Sequence, residues 1–399
     1  MPTDELPTGP VAVVLAGGGA RGAYELGALS ELLPALRAHG HDVEILVGTS
    51  VGALNVAWLG ASAHLPTAAV VAAGERLWTG FGFADVLDPS SWPASARAGL
   101  RYARHALRGR GRGPRSLLDP APLERSLRER VDLDALNANV RAPEVPLAAV
   151  AVAASSGLTG RTVVFHAGGG EPARDLARGI DYVACEALTH DHVLASAAIP
   201  GIFPSRLIGE PAVARGHYVD GGTRLNTPIK PALELGARRV VIVGLHATWA
   251  AADATLAGPD ALDAIDGTAN LLQALFADPL AQDVQSLARR NERGAATDER
   301  VPYIFVAPSD PFAIGRVARD VFDRDYSGLR RALDRRGPGG LGRLLLARDS
   351  AVHGEVLSLV FFAPEFARAL IALGAADARA WLRAEHDDGV WQLDRLPGT

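Results

Sequence analysis

Positions 48–52 constrain this chain more than any others. They read Gly48-Thr49-Ser50-Val51-Gly52, a G-x-S-x-G, directly after the apolar run Ile45-Leu46-Val47. The apolar run predicts a buried strand, and residues 51–63 predict a helix. Between them lies a sharp turn with Ser50 at its apex. Such a turn lifts a serine hydroxyl clear of the sheet, and N–H groups at the helix start can face a developing oxyanion. A side chain at Gly48 or Gly52 would crowd the turn or the helix packing behind it. The alternative is a plain glycine-bounded turn whose serine caps the helix.

A second loop carries related chemistry. The apolar run 11–15 is followed by Gly17-Gly18-Gly19-Ala20-Arg21-Gly22, and 24–39 has helical composition. Consecutive glycines let a backbone turn several N–H groups toward one point, which at a helix N-terminus stabilises negative charge. The charge is either a phosphate or the oxyanion of an ester under attack. Arg21 either adds a fixed cation beside the loop or pairs structurally with a nearby carboxylate. The loop also satisfies G-x-G-x-x-G, so a nucleotide-binding protein is a rival reading. That fingerprint wants an acidic residue at the end of the second strand. Asp42 and Glu44 lie before or at the start of that strand, and Gly48-Thr49-Ser50 takes the place where the ribose carboxylate belongs.

The third element is Tyr218-Val219-Asp220-Gly221-Gly222. Asp220 could accept the Ser50 proton directly as a two-residue catalytic pair, with Gly221 and Gly222 letting backbone approach closely. The alternative is an Asp-Gly turn. A Ser-His-Asp triad of the α/β-hydrolase type is the remaining rival. It needs a late histidine, for which His246, His353 and His386 are the candidates. His217, three residues before Asp220, is expected to point elsewhere along a strand. His190 and His192 flank Asp191 without metal-binding spacing, and no metal site is expected.

Together these elements resemble the patatin-like phospholipase family, whose members carry a G-G-G-x-R-G loop, a G-x-S-x-G elbow and a D-G-G or D-G-A motif in this order. Residues 195–204 and 116–123 are similar to further stretches of bacterial members. The resemblance implies a three-layer α/β/α sandwich with a mainly parallel sheet, lipid acyl-ester hydrolysis without a cofactor, and a lipid substrate. It further implies Ser50 as nucleophile, Asp220 as its base and Gly17, Gly18 and Gly19 as the oxyanion hole. Residues 11–245 are expected to form the catalytic core and 246–310 to continue it. Residues 311–399 are expected to form a helical extension packed on the core.

Composition narrows the classes. Forty basic side chains against 45 acidic give a net charge of −5, which argues against general nucleic-acid binding. Cys185 is the only cysteine, so no intrachain disulfide can form. It is read as a small packed side chain in a helical stretch. The N-terminal residues lack the basic and apolar regions of a signal peptide. The uncharged run 45–74 and the apolar stretch 356–373 are interrupted by polar residues, glycine or proline, so neither reads as a membrane span. A soluble, cytoplasmic protein is expected.

The alternation of strand and helix over 11–63 predicts a parallel sheet. Residues 147–153 and 163–166 predict strands joined by a hairpin at 157–160. Residues 240–245 and 303–306 predict further strands, and 260–293 is helical in composition. Beyond 311 only helices are expected, over 329–336, 341–357 and 365–385. Between Pro93 and Leu118 stand seven arginines and no acid. Arg97, Arg101, Arg104 and Arg108 would share one helix face. That face is either solvated or docks on anionic lipid head groups as a peripheral membrane contact.

Overall fold

The structure is a computed structural model that describes residues 8–87, 118–172, 175, 177–247, 267, 280–292, 300–328, 338–346 and 351–394. The arginine face at 97–108 lies outside the described residues, as do the expected helix at 329–336 and most of the helical stretch 260–293.

Among the described residues, nine strands form one sheet. They are β1 (Val11–Leu15), β2 (Val43–Thr49), β3 (Ala149–Ser156), β4 (Thr162–Gly168), β5 (Ile180–Ala184), β6 (Arg206–Ile208), β7 (Gly216–Asp220), β8 (Arg239–Val243) and β9 (Tyr303–Val306). The main order is β5-β4-β3-β2-β1-β8-β9, with β7 pairing β3 and β6. The β3-β2-β1-β8-β9 run is parallel throughout. The β3–β4, β3–β7 and β6–β7 pairs are antiparallel.

β1 shows why the central strands read as unbroken apolar runs. Val11, Val13 and Leu15 face one core, while Ala12 and Val14 face another. A strand covered on both faces has no solvent side to mark with polar residues. The first core lies under α1 (Gly22–Ala38), α2 (Val51–Ser62), α3 (Thr67–Thr79) and the helix Pro364–Arg383. The second lies under the helix Ile229–Glu234 and the helical residues 280–292. The result is the expected three-layer sandwich with a mainly parallel sheet.

The expected hairpin is present, with Ser155 opposite Thr162. Several local expectations need correction. Cys185 follows β5 rather than sitting in a helix. Its burial pushes the thiol up to about 11, so a packing role holds. The segment 341–357 is divided between the helices Gly339–Leu345 and Ala351–Val360. A helix over Ala313–Asp325 escaped the sequence reading. Its regular polar face and glycine at position 315 hid the apolar stripe of Ile314, Ala318, Val321 and Phe322.

The C-terminal helices lie against the first core. Tyr24 on α1 donates to Asp377 on the helix Pro364–Arg383 at 2.7 Å. The chain then returns to the sheet, where Gln392 forms an isolated bridge with Tyr303 of β9. Among the described residues no single helix is long and apolar enough to cross a membrane. The helices Val352–Val360 and Pro364–Arg383 reach that composition only as a pair, bent by 112°.

Candidate active site

The site is assembled at the carboxyl ends of β1, β2 and β7. β2 ends at Thr49 and α2 begins at Val51, so Ser50 must reverse the chain alone. It does so at φ 54° and ψ −120°. It is the one residue other than glycine with positive φ among the described residues. That region is sterically costly for an L side chain and persists only where the surroundings enforce it. The enforcement is visible. The Ser50 N–H donates to Ser196 Oγ at 2.8 Å, and Ser196 in turn donates to the Ala153 carbonyl of β3 at 2.5 Å. A Cβ on Gly52 would lie 2.3 Å from the Leu15 carbonyl, so only glycine lets α2 start this close to β1.

Asp220 ends β7. The antiparallel pairing of Ala154 with Asp220 brings it beside Ala153 and Ser50. Its N–H donates to the Ala198 carbonyl at 2.9 Å. Its Oδ1 accepts from the Gly222 N–H at 2.7 Å, and its Oδ2 accepts from Ser50 Oγ at 2.6 Å. One carboxylate oxygen is therefore held by backbone and the other faces the serine. Both residues are buried. Burial pushes the Asp220 carboxyl up to about 6, with the hydrogen bonds from Ser50 and Gly222 opposing the rise.

The glycine loop passes beside this pair. A Cβ on Gly17 would lie 3.1 Å from Ser50 Cβ and 2.5 Å from Asn226 Oδ1. The Gly17 N–H already donates to the Asn226 carbonyl at 3.1 Å. Among the described residues, the N–H groups of Gly18 and Gly19 donate to nothing in the protein. Gly19 has φ 60°, and a Cβ there would lie 2.3 Å from the Leu359 carbonyl. Backbone geometry and close approach thus both require glycine.

Arg21 resolves to the structural alternative. It is 2% exposed and pairs with Glu355 at 2.8 Å. It also donates to Ser358 Oγ at 2.8 Å and to the Glu355 carbonyl at 2.7 Å. Its charge is directed at the helix Ala351–Val360 and not at Ser50. Gly22 begins α1, packed on Val51 and Trp78. Behind the elbow, Asn55 of α2 donates to Glu25 at 2.7 Å and accepts from Trp78 Nε1 at 2.9 Å. Burial holds the Glu25 carboxyl well above the usual range.

The rival readings find little support in this arrangement. Ser50 Oγ and Asp220 are hydrogen-bonded to each other, and no histidine among the described residues joins them. His246 lies with Nδ1 at 3.3 Å from Arg21. Burial and the Arg21 charge keep it well below the usual imidazole range. His386 stacks on Trp381 at 4.3 Å between ring centres, and His353 is buried in the helix Ala351–Val360. For a nucleotide site, the register Val11 to Val43 puts Asp42 at the amino end of β2, a strand length away from the glycine loop. Asp42 there pairs with Arg37 at 2.8 Å. Among the described residues no cluster of His, Cys, Asp and Glu could hold a metal ion.

An apolar pocket opens beside Ser50. Leu54, Trp78, Phe81, Leu127, Ile202 and Phe203 exemplify its walls, and Ser50 supplies its hydroxyl group. The sequence reading missed Ser196, Asn226 and this pocket. Ser196 stood inside the 195–204 stretch singled out above, without any mark of its own. The pocket walls come from elements far apart in the chain.

No curated protein matches the chain. Among solved structures the chain is similar to the crystal structure of VipD from Legionella pneumophila at 12% identity, with a TM-score of 0.28. The alignment covers 76% of this chain and 62% of that one, so the chain spans less than two thirds of VipD. A family model for patatin-like phospholipases matches residues 13–233. That region runs from β1 through the helix Ile229–Glu234 and contains the glycine loop, Ser50 and Asp220. Because the match extends over more than half of its length, the chain belongs to the patatin-like phospholipase family.

Proposed function

We propose that this protein hydrolyses carboxylic esters of lipids through Ser50 and Asp220. The observation that carries the reading is the 2.6 Å hydrogen bond between these two buried side chains at an apolar pocket. An acyl chain fits such walls, and its ester carbonyl would then stand at the hydroxyl of Ser50, the only one among the described lining residues. The family's name supports phospholipids as candidate substrates, beside lysophospholipids and acylglycerols.

As Ser50 Oγ attacks the carbonyl carbon, its proton passes to Asp220 Oδ2. The carbonyl oxygen becomes an oxyanion held by the N–H groups of Gly18 and Gly19, which have no other acceptor among the described residues. Gly17 supports the loop by donating its N–H to the Asn226 carbonyl and not to the oxyanion. The tetrahedral intermediate collapses, the ester C–O bond breaks, and Asp220 returns its proton to the departing alkoxide. Water then attacks the acyl-Ser50 ester and gives a proton to Asp220. Collapse releases the fatty acid, and the proton returns to Ser50 Oγ. Every step is carried by the chain's own groups and water.

The test is labelling with a fluorophosphonate followed by mapping of the modified residue, alongside turnover of Ser50→Ala. Modification of Ser50 and loss of almost all ester hydrolysis in a folded variant is the expected result. A label elsewhere, or a variant retaining more than a few per cent of turnover, refutes the assignment. The peripheral contact through Arg97, Arg101, Arg104 and Arg108 remains a proposal founded on their spacing. Changing all four to Gln should weaken binding to anionic vesicles at low salt while sparing hydrolysis of a small soluble ester.

A further inference from the structure

The pocket under Ser50 is not built by the family-matched region alone. Most of its walls lie within residues 13–233, but Leu359, Val360 and Phe362 come from near the other end of the chain. These three are half-buried, whereas Leu357 and Phe361 between and beside them are fully buried in the core. The alternation separates side chains that anchor the segment from side chains left facing the cavity.

The segment is also fixed relative to the nucleophile. Glu355 pairs with Arg21 and accepts from the Gly315 N–H at 2.6 Å. Ser358 accepts from Arg21, and the Leu359 carbonyl packs against Gly19. Arg21 and Gly19 belong to the loop that borders Ser50. These contacts hold the wall against the loop beside the reacting serine.

We infer that Leu359, Val360 and Phe362 form a wall of the acyl-chain subsite and set the length of the fatty acyl group that the protein cleaves. The inference rests on the acyl-ester reading above. Its chemistry is simple. A hydrocarbon chain whose carbonyl is held at Ser50 extends along apolar walls, and a wall anchored to the glycine loop limits how many methylenes enter. Residues outside the family-matched region would thereby decide specificity for chemistry performed inside it.

The experiment measures kcat/KM for a series of p-nitrophenyl esters from acetyl to palmitoyl. It compares the wild-type full chain with Val360→Trp, Val360→Leu and Phe362→Ala. Fluorophosphonate labelling of Ser50 in each variant identifies those with an intact site. Val360→Trp should lower the palmitoyl-to-butyryl ratio by roughly tenfold or more, the scale of a misplaced methylene in an apolar pocket. Val360→Leu should act in the same direction more weakly, and Phe362→Ala should move the optimum to longer chains. An unchanged profile in labelled variants overturns the inference while leaving the ester-hydrolase reading intact. A wild-type protein that is neither labelled nor active on any ester overturns both.

Discussion

Replacing Asp220 by Asn separates what the carboxylate does for chemistry from what it costs the fold. The wild-type carboxyl rises from an ordinary 3.8 to about 6 because it is buried. At about 1.4 kcal/mol per pH unit, this means that ionising it in the native state costs roughly 3 kcal/mol. The sign follows from proton binding. Between about 4 and 6 the unfolded chain has released this proton while the folded one retains it, so Asp220's contribution to stability falls as pH rises. Above about 6 the loss is complete. Asn does not titrate and can keep the local geometry. Its oxygen can accept from Gly222 and its amide can donate to Ser50 Oγ. Asp220→Asn should therefore match the wild type in stability near pH 4 and exceed it by up to roughly 3 kcal/mol at pH 8, a difference of a few degrees in Tm. Turnover should fall by about 10²–10⁴-fold because an amide accepts no proton. In the wild type, kcat/KM should rise tenfold per pH unit below about 6 and then level off. Thermal melts and ester hydrolysis across pH 4–8 test the argument together. A stability gap that is independent of pH, or an Asn variant with near-normal turnover, would refute it.

Other changes probe the supports of the pair. Ser196→Ala leaves the strained Ser50 N–H without its acceptor and should cost about 1–3 kcal/mol in denaturant unfolding, with a lower kcat. Gly19→Ala places a methyl against the Leu359 carbonyl at positive φ, and kcat should drop by about 10²-fold, while affinity for a non-reactive analogue changes far less. A loss confined to binding would point to a ground-state anion site instead. Glu355→Ala strands the buried Arg21 charge and should destabilise the protein by about 3 kcal/mol or more, read from urea midpoints. Stability within experimental error of the wild type would show that Arg21 needs no ion partner.

Much of the central fold is legible in the sequence because local physics and tertiary context agree there. Runs such as 11–15 and 240–243 are apolar at every position, which a strand covered on both faces requires. Gly48, Gly52 and the 17–22 loop mark turns through backbone freedom that few residues other than glycine provide. Ser50 and Asp220 were recognisable because each ends a strand in a short motif. Their distance was not recognisable, since it depends on β7 entering the sheet antiparallel beside β3, a pairing between residues more than sixty positions apart.

Other features carry no local signature. Arg21 in isolation reads equally as an anion ligand or as a structural cation. Only the approach of Glu355, over three hundred residues later, decides between them. Ser196 is one serine among many until the fold sets it between Ser50 and Ala153. The pocket follows the same rule. Each wall residue is an ordinary apolar side chain in its own element, and a cavity exists only where several such elements leave space between them. The sequence determined the layers, the elbow and the reactive pair as candidates. Tertiary packing decided which groups touch, because burial, strain and close approach are properties of contacts between distant segments.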